Sequence, residues 1–449
     1  MIKSVMLCYL LILITSSFSN ATIINIPGEF ADIQTGINTA GYGDTVLVQP
    51  GIYNENLDLH SINFTLASMY LLTGDASYIS STIIDGNQNG RVIHLYHHDS
   101  TTVIAGFTIQ NGKTIQSVSG GGIGCLVSNP TIMNNIIRNN NAHGVHDGNA
   151  AGGGIYCDNS SAKIINNRIY GNRCSAEGTT TSASGGGIFL TDACTNTIIA
   201  NNIIHDNRLA CVHNRGGGID CGSTLNTTIR NNVIYNNNRE GIYGFDSDPI
   251  ITNSVIWNNN IFFGDSSEPI ITYSNIQNGW EGEGNIDEDP LFRDPENGDF
   301  HLMAAYCNDP YDSPCIDMGD PSIFDSYLDC NWGLGAERSD MGAYGGDRRI
   351  PTDIDNDISI LPNKFILYQN FPNPFNPITT IQFSLPLKSK VQIEVFNLAG
   401  QRVAILIDDY QSAGIHSIIW DGSEYSSGIY FYRLTDENKS ITKRMTLLK

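Results

Sequence analysis

The chain has 449 residues, 41% of them hydrophobic and only 16% charged, with 24 basic against 46 acidic side chains for a net charge of −22. That much apolar material excludes a disordered chain, and the acidic balance excludes nucleic-acid binding as a main role, because phosphate contacts need a basic surface. The length allows two or three domains.

Lys3, the short apolar run Val5 to Ile14 and the small residues of Ser19-Asn20-Ala21 predict a secretory signal peptide over residues 1–21. The run is too short to span a bilayer, and no later stretch reaches 18 apolar residues, so no transmembrane segment is expected. Ten cysteines are present, and Cys8 leaves with the signal. Nine remain, so at least one thiol stays unpaired within the chain even in an oxidising compartment.

Next come short strand patterns at Thr45–Val48, Phe64–Leu66, Thr82–Ile84, Val92–Leu95 and Gly106–Ile109. Residues 30–40 place Ile33, Ile37 and Ala40 on one helical face. An N-terminal cap is expected, because an open stack of strands exposes unpaired edges.

An internal repeat dominates residues 103–280. Segments such as TIMNNIIRNN from Thr131, KIINNRIYGN from Lys163 and TIRNNVIYNN from Thr228 align around Asn-Asn. One isoleucine column runs Ile132, Ile164, Ile199, Ile229, Ile251, Ile271, and a second runs Ile137, Ile169, Ile204, Ile234, Ile256, Ile276. Both advance by 32, 35, 30, 22 and 20 residues. A third follows a Gly cluster: Ile123, Ile155, Ile188, Ile219, Ile242. The shortest repeat holds three β-branched runs, each too short for a helix. One such unit cannot bury its own apolar face, whereas stacking units about 4.8 Å apart buries every column. The expected fold is all-β, a parallel β-helix. Asn135, Asn167, Asn202 and Asn232 form an inward structural ladder, paired along the axis as buried amides must be. Cys125, Cys157 and Cys221 share a position with Leu190 and read as a buried thiol stack.

Three coils carry insertions at residues 139–151, 171–184 and 206–215, which stack into a wall where function commonly resides. Just after the second isoleucine column runs an outward column, Arg138, Tyr170, His205, Tyr235, Trp257 and Gln277. Its first five residues are the candidate ligand-binding set, because ring faces flanked by polar groups suit sugars; a packing ladder on the sheet is the other reading. His143, His146 and His213 lie in the insertions, but their spacing is poor for a metal, and none is expected there. Cys174 and Cys211 occupy comparable loops, so a disulfide between them is expected. Cys194, Cys307, Cys315 and Cys330 complete an even six, which permits three bridges. The loop acids Asp147, Glu177, Asp192 and Asp206 lie in no spacing that forces a catalytic pair, and no catalytic residue is assigned.

The opening ATIINIPGEFADIQTGINTAGYGDTVLVQPGIYNENLDL, the early STIIDGNQNGRVIHL and IAGFTIQNG, and the later DEDPLFRDPENGDFHL, SPCIDMGDP and SDMGAYGG resemble secreted right-handed parallel β-helix proteins over residues 22–346. The resemblance implies a β-helix with N-terminal cap and closing segment over residues 22–347. That family spans polysaccharide lyases, hydrolases, epimerases and proteins without activity, so it implies fold far better than function.

Residues 348–362 read as a linker. Asp353, Asp355 and Asp357 resemble half a calcium loop but lack its Gly and terminal Glu. A solvated linker is expected, and no cofactor. Residues 363–449 show alternating short strands, which argue a β-sandwich. LYQNFPNPFNPITTIQFSLP, VQIEVFNLAGQRV, SSGIYFYRL and TKRMTLLK closely resemble the type IX secretion C-terminal sorting domain. Pro372, Asn373, Pro374, Phe375, Asn376 and Pro377 open that motif; Gly428, Tyr430 and Lys449 close it. This implies handling by type IX secretion machinery in a Gram-negative bacterium of the Bacteroidota type, with delivery to the cell surface or the medium. The expected role is that of an exported monomer that binds or supports structure, with a glycan as the favoured partner. The alternatives are a polysaccharide lyase or glycoside hydrolase acting beside the insertions, and a protein adhesin.

Overall fold

The computed structural model describes residues 21–346 and 365–449, apart from short stretches at residues 116–118, 146–147, 178–180, 192, 212, 225, 326–327, 368–369, 371–372, 386–388, 412–413 and 437–438. Residues 1–20 of the expected signal, the Asp353 to Asp357 run, His146, Asp147, Asp192 and Pro372 therefore lie outside the described residues.

Each coil adds one strand to each of three parallel sheets. Among the described residues the first sheet stacks ten strands, from Ile23–Ile26 through Thr131–Met133 to Ile270–Thr272. The second stacks nine, from Gly51–Asn54 through Ile136–Arg138 and Ile203–His205 to Asn275–Ile276. The third stacks eight, from Leu57–Asp58 through Ile155–Asp158 and Ile219–Asp220 to Asn260–Phe263. The isoleucine columns are the registers of these sheets: Ile132 pairs with Ile164, Ile137 with Ile169 and Ile123 with Ile155, and so on along the axis. All three columns are buried in one continuous core. Burial of each side chain stabilises the fold by about 1.5–3 kcal/mol.

The Asn-Asn pairs turn the chain from the first sheet to the second. Asn134, Asn166, Asn201 and Asn231 adopt the left-handed conformation with φ of 56°, 55°, 55° and 50°, which Asn tolerates better than most residues. Their successors point inward. The amide of Asn135 donates to Asn167 Oδ1 at 3.1 Å and to the Ile104 carbonyl at 3.0 Å, and its backbone N–H reaches the same Oδ1 at 3.0 Å. Asn167, Asn202 and Asn232 continue this pattern until Ser254 takes over. A second ladder, absent from the sequence reading, runs Asn140, Asn172, Asn207, Asn237 and Asn259 at the next corner.

The helix Ile33–Thr39 covers the first coil, with Ile33 and Ile37 buried. Its N-terminus is capped by Asp32, whose carboxylate accepts the Thr35 N–H at 2.7 Å. No helix among the described residues is long and apolar enough to cross a membrane.

The insertions are ordered into two further parallel sheets. One contains Lys113–Ile115, Asn141–Gly144, Arg173–Ala176 and Arg208–Ala210; the other contains Ala150–Ala151, Ser182–Ser184 and His213–Arg215. Ala142, Ala150, Cys174, Ala183 and Leu209 form a small core there. The register corrects the expected bridge. Cys174 pairs with Leu209 rather than Cys211, so the two thiols are out of phase and both are free. The disulfide that forms among the described residues joins Cys307 to Cys330. Cys194 and Cys315 are buried free thiols, as are Cys125, Cys157 and Cys221, the last three lying in the β-helix core as expected.

The closing segment folds back over the second sheet. Its hairpin pairs Phe292–Asp294 with Asp299–Leu302. Deeper in it, backbone N–H groups of Asp317 and Leu334 donate to Asp340 at 2.8 and 2.7 Å, while Asp325 accepts from Asp340 at 3.3 Å and from Gly346. Burial, reinforced by the charge of Asp325, pushes the Asp340 carboxyl up to about 8. The folded state thus holds a proton that the unfolded chain releases near pH 4. The stabilisation is full below about pH 4 and is lost as pH rises through about 8. Asp340→Asn should melt with a weaker dependence on pH between 5 and 8 than the wild type; equal dependence in thermal scans would contradict the buried proton.

The C-terminal unit is a β-sandwich. Ile366–Leu367, Ile378–Leu385 and Gly414–Asp421 form one antiparallel sheet. Arg402–Gln411, Ser389–Asn397, Gly428–Thr435 and Ser440–Leu447 form the other. Phe383, Ile393, Tyr432 and Leu447 are among the buried residues of its core.

Candidate ligand-binding groove

The sequence-derived column exists as a register: Arg138 pairs with Tyr170, Tyr170 with His205, His205 with Tyr235 and Tyr235 with Trp257. It points away from the coil core, but the closing hairpin lies on it. Phe300 packs against His205 at 4.9 Å and Tyr235 at 5.2 Å between ring centroids, and Phe292 meets Tyr235 edge-on. His205 and Tyr235 are only 5% and 8% exposed. The Arg168 guanidinium reinforces the cover, donating to the Gly298 carbonyl at 2.8 Å. His205 Nδ1 bonds Asp206 at 2.7 Å, yet burial keeps the imidazole below its ordinary pKa. The middle of this column is therefore a packing surface, and only its flanks, Arg138, Tyr170 and Trp257, stay partly accessible. Arg138 is itself engaged, donating to Gln110 at 3.0 Å and to the Tyr170 hydroxyl at 3.2 Å.

A different outward column is open. On the third sheet, the residue after each core isoleucine gives Gly124, Tyr156, Phe189, Asp220 and Tyr243, followed by Phe262. Gly124 leaves room for the Arg91 guanidinium, which a Cβ there would strike. Tyr156 and Phe189 stack at 5.7 Å with an interplanar angle of 7°, and Tyr243 and Phe262 at 5.2 Å with 14°. Asp220 interrupts the rings. Phe189 and Tyr243 each have one face covered by a ring neighbour and turn the other toward the Asp220 coil. Two inter-strand steps separate them, about 10 Å, which leaves a slot with a carboxyl at its floor.

The inner insertion sheet walls this slot. Ala150, Ala151, Ser182, Ser184 and Arg215 line one side of a depression of about 360 Å³ that includes Phe189, Asp220 and Tyr243. A second depression of about 360 Å³ adjoins it, lined by His213, Arg215, Arg239, Glu240, Tyr243 and Phe262 among others. Each is at the low end of the range of small-ligand sites, roughly 300–1,000 Å³. Asp220 is 3% exposed. Burial, with the Glu240 charge adding to it, pushes its carboxyl up to about 7 against the opposing pull of the Gly222 N–H, Ser184 and Arg215. The Gly222 N–H donates to Asp220 Oδ1 at 3.1 Å. Arg215 hangs over the Tyr243 ring at 5.6 Å. Glu240 is held by the Gly216 N–H at 3.2 Å. His213, noted in the sequence as a loop histidine, lines the groove; His143 instead bonds Ser175 at 2.9 Å and faces Glu177. No group of three or more metal-ligating side chains converges among the described residues.

The sorting motif is structural in a different sense: it ties the two ends of the sandwich together. Phe375 is buried against Trp420, and its backbone bonds Thr446 and Leu448. Asn373 Oδ1 accepts the Thr446 N–H at 2.9 Å, and the Lys449 N–H donates to Ser427 at 3.0 Å. The Tyr430 hydroxyl donates to the Ser426 carbonyl at 2.8 Å, just before Gly428. Pro374 and Asn376 are exposed, and the Pro377 carbonyl accepts the Gly422 N–H at 2.9 Å.

Comparison with known families agrees with both units. Residues 153–284 match the right handed beta helix region, and residues 369–447 match the secretion system C-terminal sorting domain. No curated protein matches the chain. The chain is a right-handed parallel β-helix protein with a type IX secretion C-terminal sorting domain, and it is secreted or displayed at the cell surface.

Proposed function

We propose that the β-helix binds an extended glycan along the third sheet, with one sugar ring seated between Phe189 and Tyr243. The interrupted ring ladder is the observation that supports this reading most. A pyranose presents C–H bonds on its faces, which pack on aromatic rings, and hydroxyls at its edge, which need polar partners. The slot offers the Phe189 ring face on one side, the Tyr243 ring with the Arg215 guanidinium over it on the other, and Ser184 and Asp220 beside them. From Tyr156 to Phe262 the column spans four inter-strand steps, about 19 Å, enough for several linked sugars. A polymer rather than a free monosaccharide suits a groove that is open along the axis.

Calorimetric titration of the full chain with soluble polygalacturonan, alginate, xylan and mannan tests the proposal. Binding to at least one is expected. Phe189→Ala and Tyr243→Ala should each weaken it about tenfold, or about 1.4 kcal/mol, while Tyr170→Ala on the covered sheet leaves it unchanged. Unaltered affinity in both groove variants would overturn the assignment.

A further inference from the structure

We infer that the far end of the third sheet is a docking strand for an extended, cationic segment of a partner protein. The three sheets end differently. Beyond Ile270–Thr272 of the first, the Tyr273 N–H donates to the Glu283 carbonyl at 2.7 Å, and the Asn285 amide donates to the Ile271 carbonyl at 2.9 Å. At Asn275–Ile276 of the second, the Ile276 N–H donates to the Ile286 carbonyl at 2.9 Å. Later residues thus continue both sheets into the closing segment. The third ends on Asn260–Phe263, which pairs with Glu240–Gly244 on one side, and among the described residues no strand lies on the other. Trp280 meets Phe263 edge-on at 5.8 Å and packs against the end of the isoleucine core.

The backbone of this last strand is aimed to receive another. The Gly264 N–H donates to the Gly244 carbonyl at 2.9 Å, toward the strand already paired. In a parallel ladder successive residues turn their N–H and C=O groups to opposite neighbours, so those of Ile261 and Phe263 face the free edge. Such a row is a template for strand addition. Apolar surface lies beside it: Phe262 is 47% exposed, and Phe245, at the turn of the preceding coil, is 52% exposed. The docking strand borders the groove at Phe262 but does not depend on a glycan there.

Charge selects the occupant. From Glu240 to Phe292 the chain carries ten carboxylates and no basic side chain. Asp246 follows the neighbouring strand, Asp265 and Glu268 follow the docking strand itself, and Glu281 follows Trp280; all four are exposed. Two copies of this edge would bring like charges face to face, which opposes self-pairing. A segment rich in Lys or Arg gains from the same carboxylates. Alternation sets the rest of its pattern. Every second side chain is apolar and covers the core beside Ile261 and Phe263. Those between are cationic, with their stems on the Phe262 ring and their charged ends toward the acids.

The test mixes the full chain with a fluorescein-labelled synthetic peptide of alternating valine and lysine, and separately with its valine–glutamate counterpart. Fluorescence anisotropy reads binding, and hydrogen exchange with mass spectrometry reads backbone pairing. Binding of the lysine peptide alone is expected, weakening as salt is added, with slower exchange over residues 260–264. The double variant Asp265→Lys, Glu268→Lys should bind that peptide at least about tenfold more weakly, with an unchanged melting temperature because both side chains are exposed. Binding without slower exchange at this strand overturns strand addition. Equal binding of the two peptides, or unaltered affinity in the double variant, overturns selection by charge. Absence of binding overturns the proposal as a whole. So does a concentration-dependent dimer that protects residues 260–264 without peptide, which would make a second copy the occupant.

Discussion

Ile204→Asp should yield no soluble, cooperatively melting protein. Ile204 is fully buried in the middle of the second isoleucine column, paired with Ile169 on one side and Ile234 on the other. The substitution removes a packed side chain, which alone costs about 2–5 kcal/mol. It also buries a carboxylate with no partner, at a further cost of several kcal/mol. The sum is of the order of a whole domain's stability, about 5–15 kcal/mol. Ile204→Val keeps the column and should cost only about 0.5–1.5 kcal/mol. Circular dichroism and size-exclusion chromatography distinguish the two. A monomeric Ile204→Asp protein with a sharp melt would show that the column is not the core.

Deletion of residues 363–449 should abolish export while sparing the β-helix. The sandwich has its own hydrophobic core, whose members all come from residues 365–447, and the β-helix core draws on none of them. Each unit therefore has the burial needed to fold alone. The motif residues Phe375 and Tyr430 pack into the sandwich core, and Lys449 bonds Ser427 where the two termini of the sandwich meet. Cell fractionation with immunodetection should find the shortened protein in the periplasm and the full chain at the surface or in the medium. Surface display of the shortened protein would refute the assignment. A soluble periplasmic product with the β-sheet spectrum of the full β-helix would confirm that the two units fold independently.

The fold was legible because its determinants are local and repeated. Ile137, Ile169 and Ile204 announce an inward column by identity and spacing, and the sheet registers reproduce it residue for residue. The second asparagine ladder was just as visible, three residues after each isoleucine of that column. Three of its five members, Asn140, Asn172 and Asn207, open insertions, and insertions look like loops. The site was less legible for a physical reason. Alternation distinguishes inward from outward, but it does not tell which outward face another segment will cover. The hairpin that hides His205 and Tyr235 comes from residues 292–302, far along the chain. With that face closed, the open one follows from the residue after each isoleucine of the third column. Cys174 and Cys211 illustrate the same limit, since comparable loops of unequal length put equivalent-looking residues out of phase.

The two asparagine ladders and three isoleucine columns also govern how such a protein changes length. Coils without insertions repeat every 20–22 residues, and coils with them every 30–35. Most of the extra residues enter at one corner, after Asn140, Asn172 and Asn207 and before the next Gly cluster. One residue added within a strand would throw the rest of that strand out of phase, whereas one added at that corner alters only the wall of the groove. A duplicated whole coil would keep every column in register and lengthen the groove by a single step. Such a core can lengthen only by whole coils, while its rim can change length residue by residue.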